Sequence, residues 1–148
     1  MTGFRLLAAG ALITSIIGCS DGGPFAPVSG VVKLDGKPYS KAAVSFQPIG
    51  DKDNPNPGRG SSAYTDESGR FVLISDDRNG AVVGKHLVRI ATRPDAVTGE
   101  EGVGSSDSAV ATRRGDPIPL EWNANSTKEF DVPAGGTDQA NFDIVTKR

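Results

Sequence analysis

No part of this chain keeps apolar residues at i, i+3, i+4 and i+7 for three helical turns. What recurs instead is a short two-residue alternation, broken again and again by turn-forming residues. Residues 28–34 place Gly30, Val32 and Leu34 on one face. Asp35-Gly36 follows, a pair that favours a type I′ hairpin because glycine accepts positive φ. Residues 43–47 put Val44 and Phe46 inward. The turn Asp66-Glu67-Ser68-Gly69 separates residues 61–65 from residues 70–74, where Phe71 and Leu73 share a face. The unbroken apolarity of 70–74 predicts cover on both sides of that strand. After a second turn cluster at 76–80, residues 85–92 hold His86, Val88 and Ile90 in phase. Residues 118–122, 129–132 and 141–145 read as the closing strands, with Phe130/Val132 and Phe142/Ile144 as alternating pairs. Nineteen glycines and ten prolines supply the breaks, including the polar loop 49–60 with its two Asn-Pro steps. Residues 94–115 are long, polar and rich in Gly and Ser, and read as a surface excursion. About seven short strands joined by tight turns predict an all-β fold, an antiparallel β-sandwich.

The N-terminus obeys a different rule. After Arg5, residues 6–17 run uncharged for twelve positions. A membrane-spanning helix needs about 20 apolar residues, so this length suits the hydrophobic region of a signal peptide. The run ends in Ile16-Ile17-Gly18-Cys19, and Cys19 is the only cysteine of the chain. One cysteine rules out an internal disulfide, so stability rests on core packing. The segment resembles a bacterial lipobox, in which the thiol is diacylated, the peptide is cut before it, and the new amine is acylated with a fatty acid such as palmitate. A nucleophilic sulfur at Cys19 and a small residue at Gly18 meet that chemistry's demands. Residues 1–18 are then the signal peptide, 19–27 a flexible tether after the lipidated cysteine, and 28–148 one β-sandwich domain, a normal size for a single core. Ser20 after the cysteine resembles the sorting signal of outer-membrane lipoproteins. The expected location is the cell envelope, lipid-anchored, at the outer membrane or the periplasmic face.

The stretches "VSGVVKLDGKPYSKAAVSFQP", "TDESGRFVL", "GKHLVRI", "IPLEWN" and "STKEFDV" carry a further resemblance. Together they resemble small lipoproteins, abundant in planctomycete-type bacteria, that contain a carboxypeptidase regulatory-like, transthyretin-like domain. The resemblance implies a seven-stranded Greek-key sandwich of the prealbumin kind, monomeric or weakly associating, and it implies no reaction. Asp66, Gly69 and Phe71 form its fold-defining turn. Physically, Asp66 accepts backbone N–H bonds, Gly69 takes positive φ, and Phe71 enters the core two residues later.

Candidates for chemistry are few. Sixteen Lys and Arg are scattered against eighteen Asp and Glu, which gives no electrostatic footprint for nucleic acid. His86 is the only histidine, and its phase with Val88 and Ile90 places it among strand core residues rather than beside a nucleophile. Ser61-Ser62 and Ser105-Ser106 lack nucleophile-elbow spacing. Purine-pathway hydrolases on a transthyretin-like sandwich use more than one histidine and a distinctive C-terminal tetrapeptide. This chain ends Val145-Thr146-Lys147-Arg148 and has neither. Asp51/Asp53 and Asp76/Asp77/Asn79 are hard oxygen donors suited to calcium, but their spacing matches no twelve-residue calcium loop and turn formation explains them. Zinc lacks ligands. The glycines of 99–104 lack a strand-to-helix context, and Arg114-Gly115-Asp116 and Asn125-Ser126-Thr127 are short matches without their usual setting. Trp122 is the one candidate ligand contact, through a stacking face, with no second exposed aromatic evident in the pattern. No catalytic residue, metal or cofactor is expected.

Three roles therefore stand at this point: a non-enzymatic, lipid-anchored envelope module that binds or scaffolds, a small carbohydrate- or peptide-binding surface protein, and a hydrolase with an unrecognised site. The expected partners are the membrane, through the anchor, and envelope proteins or glycans. The anchor is testable by fractionation: the wild type is expected in the membrane fraction and Cys19→Ser in the soluble one. Identical distributions would remove the lipoprotein assignment.

Overall fold

The computed structural model describes residues 23–94 and 115–146. Strands dominate, and among the described residues there is no α-helix. The expected hairpin forms at its predicted place. β1 (Phe25–Ala26) is followed by β2 (Ser29–Leu34), which turns through Asp35 (φ 50°) and Gly36 (φ 77°) into β3 (Lys37–Pro38). Positive φ at both central residues is the type I′ geometry, whose twist matches that of the flanking strands. Asp35 has a second task, since its carboxylate accepts from the backbone N–H (2.8 Å) and hydroxyl (2.7 Å) of Thr146.

The larger sheet has six strands. β4 (Ala42–Pro48) and β10 (Gly84–Thr92) form its centre, joined antiparallel over seven residue pairs. β11 (Lys128–Val132) extends it past β10. On the other side come β5 (Ser61–Tyr64), β7 (Ile74–Ser75) and β8 (Arg78–Asn79). The smaller sheet gathers on β2. β3 and β6 (Arg70–Val72) pair with it antiparallel, and β12 (Phe142–Ile144) lies parallel to it. β9 (Ala81–Val82) makes a short ribbon with β1.

The two sheets pack face to face as a β-sandwich, and alternation selects the core. Val44, Phe46, Val88, Ile90 and Val132 from the larger sheet meet Val32, Phe71, Phe142 and Ile144 from the smaller, all buried. Rings do much of the joining. Phe142 has Phe46, Phe71, Phe130 and Trp122 at centroid distances of 6.1, 6.2, 6.1 and 6.0 Å. These spacings lie within the range for favourable ring pairs, each worth roughly 0.5–1.5 kcal/mol beyond area burial.

Four expectations need correction. Residues 70–74 are not covered on both sides: Val72 and Ile74 are 51% and 46% exposed while Phe71 and Leu73 are buried. Nor are they one strand, because β6 belongs to the smaller sheet and β7 to the larger, with Leu73 as the corner between them. Residues 118–122 are not a strand. Leu120–Trp122 is a 3-10 turn, closed by Trp122 N–H to Pro119 C=O (2.9 Å) and Asn123 N–H to Leu120 C=O (3.1 Å). Proline fixes φ and contributes no N–H to a ladder, so the segment tightens instead of pairing. The folded unit also begins before Val28. Within the expected tether 19–27, Phe25–Ala26 is already strand and Ala26 is buried.

Phe142→Ala is expected to destabilise the fold by about 3–5 kcal/mol, the usual cost of emptying a phenylalanine site. Val72→Ala, at an exposed site, should stay within about 0.5 kcal/mol. Urea melts of both variants check the contrast.

Candidate functional site

The turn expected to define the fold is built as the residues require. Asp66 Oδ1 accepts from the Ser68 N–H (2.8 Å), the Ser68 hydroxyl (2.7 Å) and the Arg70 N–H (3.0 Å). These bonds favour the carboxylate and hold Asp66 below its ordinary value, the Ser68 hydroxyl contributing most. Gly69 has φ 74°, and a Cβ there would lie 2.6 Å from the Val32 carbonyl oxygen. Glycine is therefore required twice, by its dihedral and by the backbone of β2 against it. Phe71 enters the core, as expected. This constellation joins the two sheets.

His86 is fully buried with Val88 and Ile90. Its Nδ1 lies 2.9 Å from the Gly84 carbonyl oxygen, which makes Nδ1 the protonated nitrogen, and its ring packs on Phe46 at 5.7 Å. Nε2 is buried without a hydrogen-bond partner among the described residues, as is the Ser61 hydroxyl. Desolvation pushes the imidazole below its ordinary value of 6.5, ahead of the opposing effects of Gly84 and Asp131. This is a neutral core histidine.

One carboxylate of each acidic cluster is used locally. Asp51 Oδ1 accepts the N–H groups of Asp53 (2.9 Å) and Asn54 (2.7 Å), which shapes its own loop. Asp76 sits in the β7–β8 hairpin turn with φ 52° and pairs with Arg59 at 3.1 Å. Among the described residues no group of three or more His, Cys, Asp or Glu is placed to hold a metal. Ser126, from the sequon match, turns its buried hydroxyl to the Val88 carbonyl oxygen. Cys19, Ser105-Ser106, the glycines of 99–104 and Arg114 lie outside the described residues, as does all of the expected excursion except its ends.

The residues that flank the excursion are tied together by Asp116, which the sequence marked only as part of a tripeptide match. Asp116 accepts from the Thr92 N–H (3.0 Å), the Thr92 hydroxyl (2.6 Å) and the Ile118 N–H (2.8 Å). Because the Thr92 hydroxyl donates to Asp116, the Tyr39 hydroxyl must donate to Thr92, at 2.8 Å. The usable signal was Asp116-Pro117, an acceptor placed just before a residue that forces an extended backbone.

Trp122 is half-buried. One ring edge meets Phe142, and Lys128 Nζ stands 4.8 Å from its ring centroid. The second aromatic that the pattern did not reveal is Tyr64, 58% exposed. It stands where the sheets part. β5 meets β7 at Ser62↔Ile74, and in that register Tyr64 would oppose Val72, but Val72 pairs with Ser29 of the smaller sheet. Two surface grooves result, and Tyr64 borders both. One, of 330 Å³, is lined by Ala43, Ser45, Ser62, Ile74 and Asp76 among others. The other, of 370 Å³, is lined by Ser29, Asp66, Arg70, Phe71 and Val72. Arg93 places its guanidinium 5.2 Å from the Tyr64 centroid. The exposed side chains of Tyr64, Val72 and Ile74 thus form an apolar ridge with charged residues at its margins, an arrangement that can bind a ligand or partner. Compared with protein-family models, with curated proteins and with solved structures, the chain matches none.

The His86 environment predicts an acid-sensitive fold. The folded pKa lies below the unfolded value of 6.5, so just below that pH the unfolded chain binds a proton the folded chain refuses. Stability is therefore complete above 6.5 and declines as pH falls through the interval beneath it. Asp66 acts in the same sense, but only near and below its ordinary 3.8. Urea midpoints at about pH 7.5 and about pH 5 should differ for wild type, and His86→Gln should flatten that difference.

Proposed function

We propose that this chain is a non-enzymatic, lipid-anchored cell-envelope module that binds or scaffolds other envelope components. Cys19 is the anchor, joined by a short tether to a transthyretin-like, carboxypeptidase regulatory-like sandwich with Greek-key connections. The single observation behind the binding role is the Tyr64 face, where an exposed apolar ridge of Tyr64, Val72 and Ile74 stands between two grooves. A solvent-facing tyrosine offers large, stiff, amphipathic contact area, which is what recognition surfaces use. The partners are membrane lipid at Cys19 and an envelope protein or glycan at Tyr64. Nucleic acid is not among them.

The reading is tested with a photoreactive residue. In cells, p-benzoylphenylalanine in place of Tyr64 should give a recurrent covalent adduct that disappears when Cys19→Ser is added. The same residue in place of Lys33, exposed on the other sheet, should give none. Equal adduct patterns at both positions, or none at Tyr64, would count against the docking face.

A further inference from the structure

The 330 Å³ groove beside Tyr64 is furnished for one class of ligand. Its floor is low because small residues fall side by side across two strands. Ala43 is opposite Tyr64 and Ser45 is opposite Ser62. Ile74, paired with Ser62, continues the Tyr64 wall. Across β4, Arg89 is opposite Ser45. Arg89 alternates with the buried Val88 and Ile90, so it lies on the same outer face as the groove, and it has no ion-pair partner among the described residues. Asp76, at the far end, is already neutralised by Arg59 at 3.1 Å. With Asp76 paired, the charge beside this groove that has no ion-pair partner among the described residues is the positive one of Arg89.

The backbone narrows the choice. β4 is paired on one side with β10 and on the other with β5 along the whole floor, and the open edge of β5 beyond its Ser62↔Ile74 bridge extends only to Tyr64, too short for an extended peptide to build a ladder there. What the floor and walls present is hydroxyl groups, from Ser45, Ser62 and Tyr64, set among the apolar surfaces of Ala43 and Ile74. A pyranose ring has the complementary pattern, with C–H faces and a rim of hydroxyls. The volume suits a sugar unit or two, at the lower end of the roughly 300–1,000 Å³ of small-ligand sites.

We propose that this groove binds an acidic saccharide. A uronate-type ring lies against Tyr64 and Ile74, its hydroxyls reach Ser45 and Ser62, and its carboxylate pairs with Arg89. The inference rests on the Tyr64-face reading and names its ligand class.

Calorimetric titration of the full chain with a short oligogalacturonate, a neutral oligosaccharide of equal length and polyglutamate tests it. The uronate should bind best. Tyr64→Ala should weaken its binding by about tenfold or more, and Arg89→Gln should erase the preference for uronate over neutral sugar while leaving neutral binding unchanged. Both positions lie on the outer face, and unchanged melting temperatures would confirm that the variants remain folded. Equal binding of polyglutamate, or a preference that survives Arg89→Gln, would overturn the proposal. No binding of any saccharide, with the photo-adduct at position 64 to a protein still forming, would also overturn it and would leave the docking-face reading intact.

Discussion

Phe142 is the joint on which the sandwich closes. It arrives late in the chain, on the one strand that runs parallel to its neighbour in the smaller sheet. From there it meets rings contributed by β4, β6, β11 and the 3-10 turn. Its partners are therefore spread over the sequence and come from both sheets. A core held this way is non-local, since the C-terminal strand must dock before the two inner faces are complete. The bonds from Asp35 to Thr146 hold that strand's end beside the first hairpin. Turn chemistry and core closure thus meet in the same few residues.

A second constraint produces the candidate site. Between Val72 and Ile74 the chain passes from one sheet to the other, with buried Leu73 as the pivot. A sandwich strand that changes sheets must leave its old neighbour, and Tyr64 is the neighbour it leaves. The grooves on both sides of Tyr64 are the geometric residue of that departure, so the candidate surface follows from the way the fold turns its corner. Several other polar groups, at this face and away from it, have structural tasks. Asp66 shapes the turn, Asp116 ties Thr92 to Ile118, and His86 fills core space as a neutral ring.

Much of the fold was legible in the chain. The alternation in β2, β4 and β10 picked out Val32, Val44, Phe46, Val88 and Ile90 correctly, because period two in apolar residues reports one buried face. Asp35-Gly36 and Asp66-Gly69 announced their turns because positive φ restricts which residues can stand there. Where the reading failed, it failed for identifiable reasons. The apolar run at 70–74 predicts double cover that the fold does not give, since composition does not tell a strand with a second apolar face from one whose outer residues meet solvent. The Ile-Pro segment reads as strand by its apolar residues, although its proline favours a tight turn over a ladder.

Tyr64 marks the boundary between the two kinds of information. Local rules made it a strand residue on the polar side of an alternating stretch, and nothing nearby in sequence marks it as a ridge between grooves. That role depends on Val72 pairing with Ser29, a contact between residues far apart in the chain. The sequence by itself determined the all-β class, the tight turns and most of the inward-facing residues, because these depend on the dihedral and hydrophobic preferences of neighbours. Only the tertiary structure decided which strand leaves which sheet, where the surface opens and which arginine lies beside it. Those outcomes are set by long-range pairing, and no local preference encodes it.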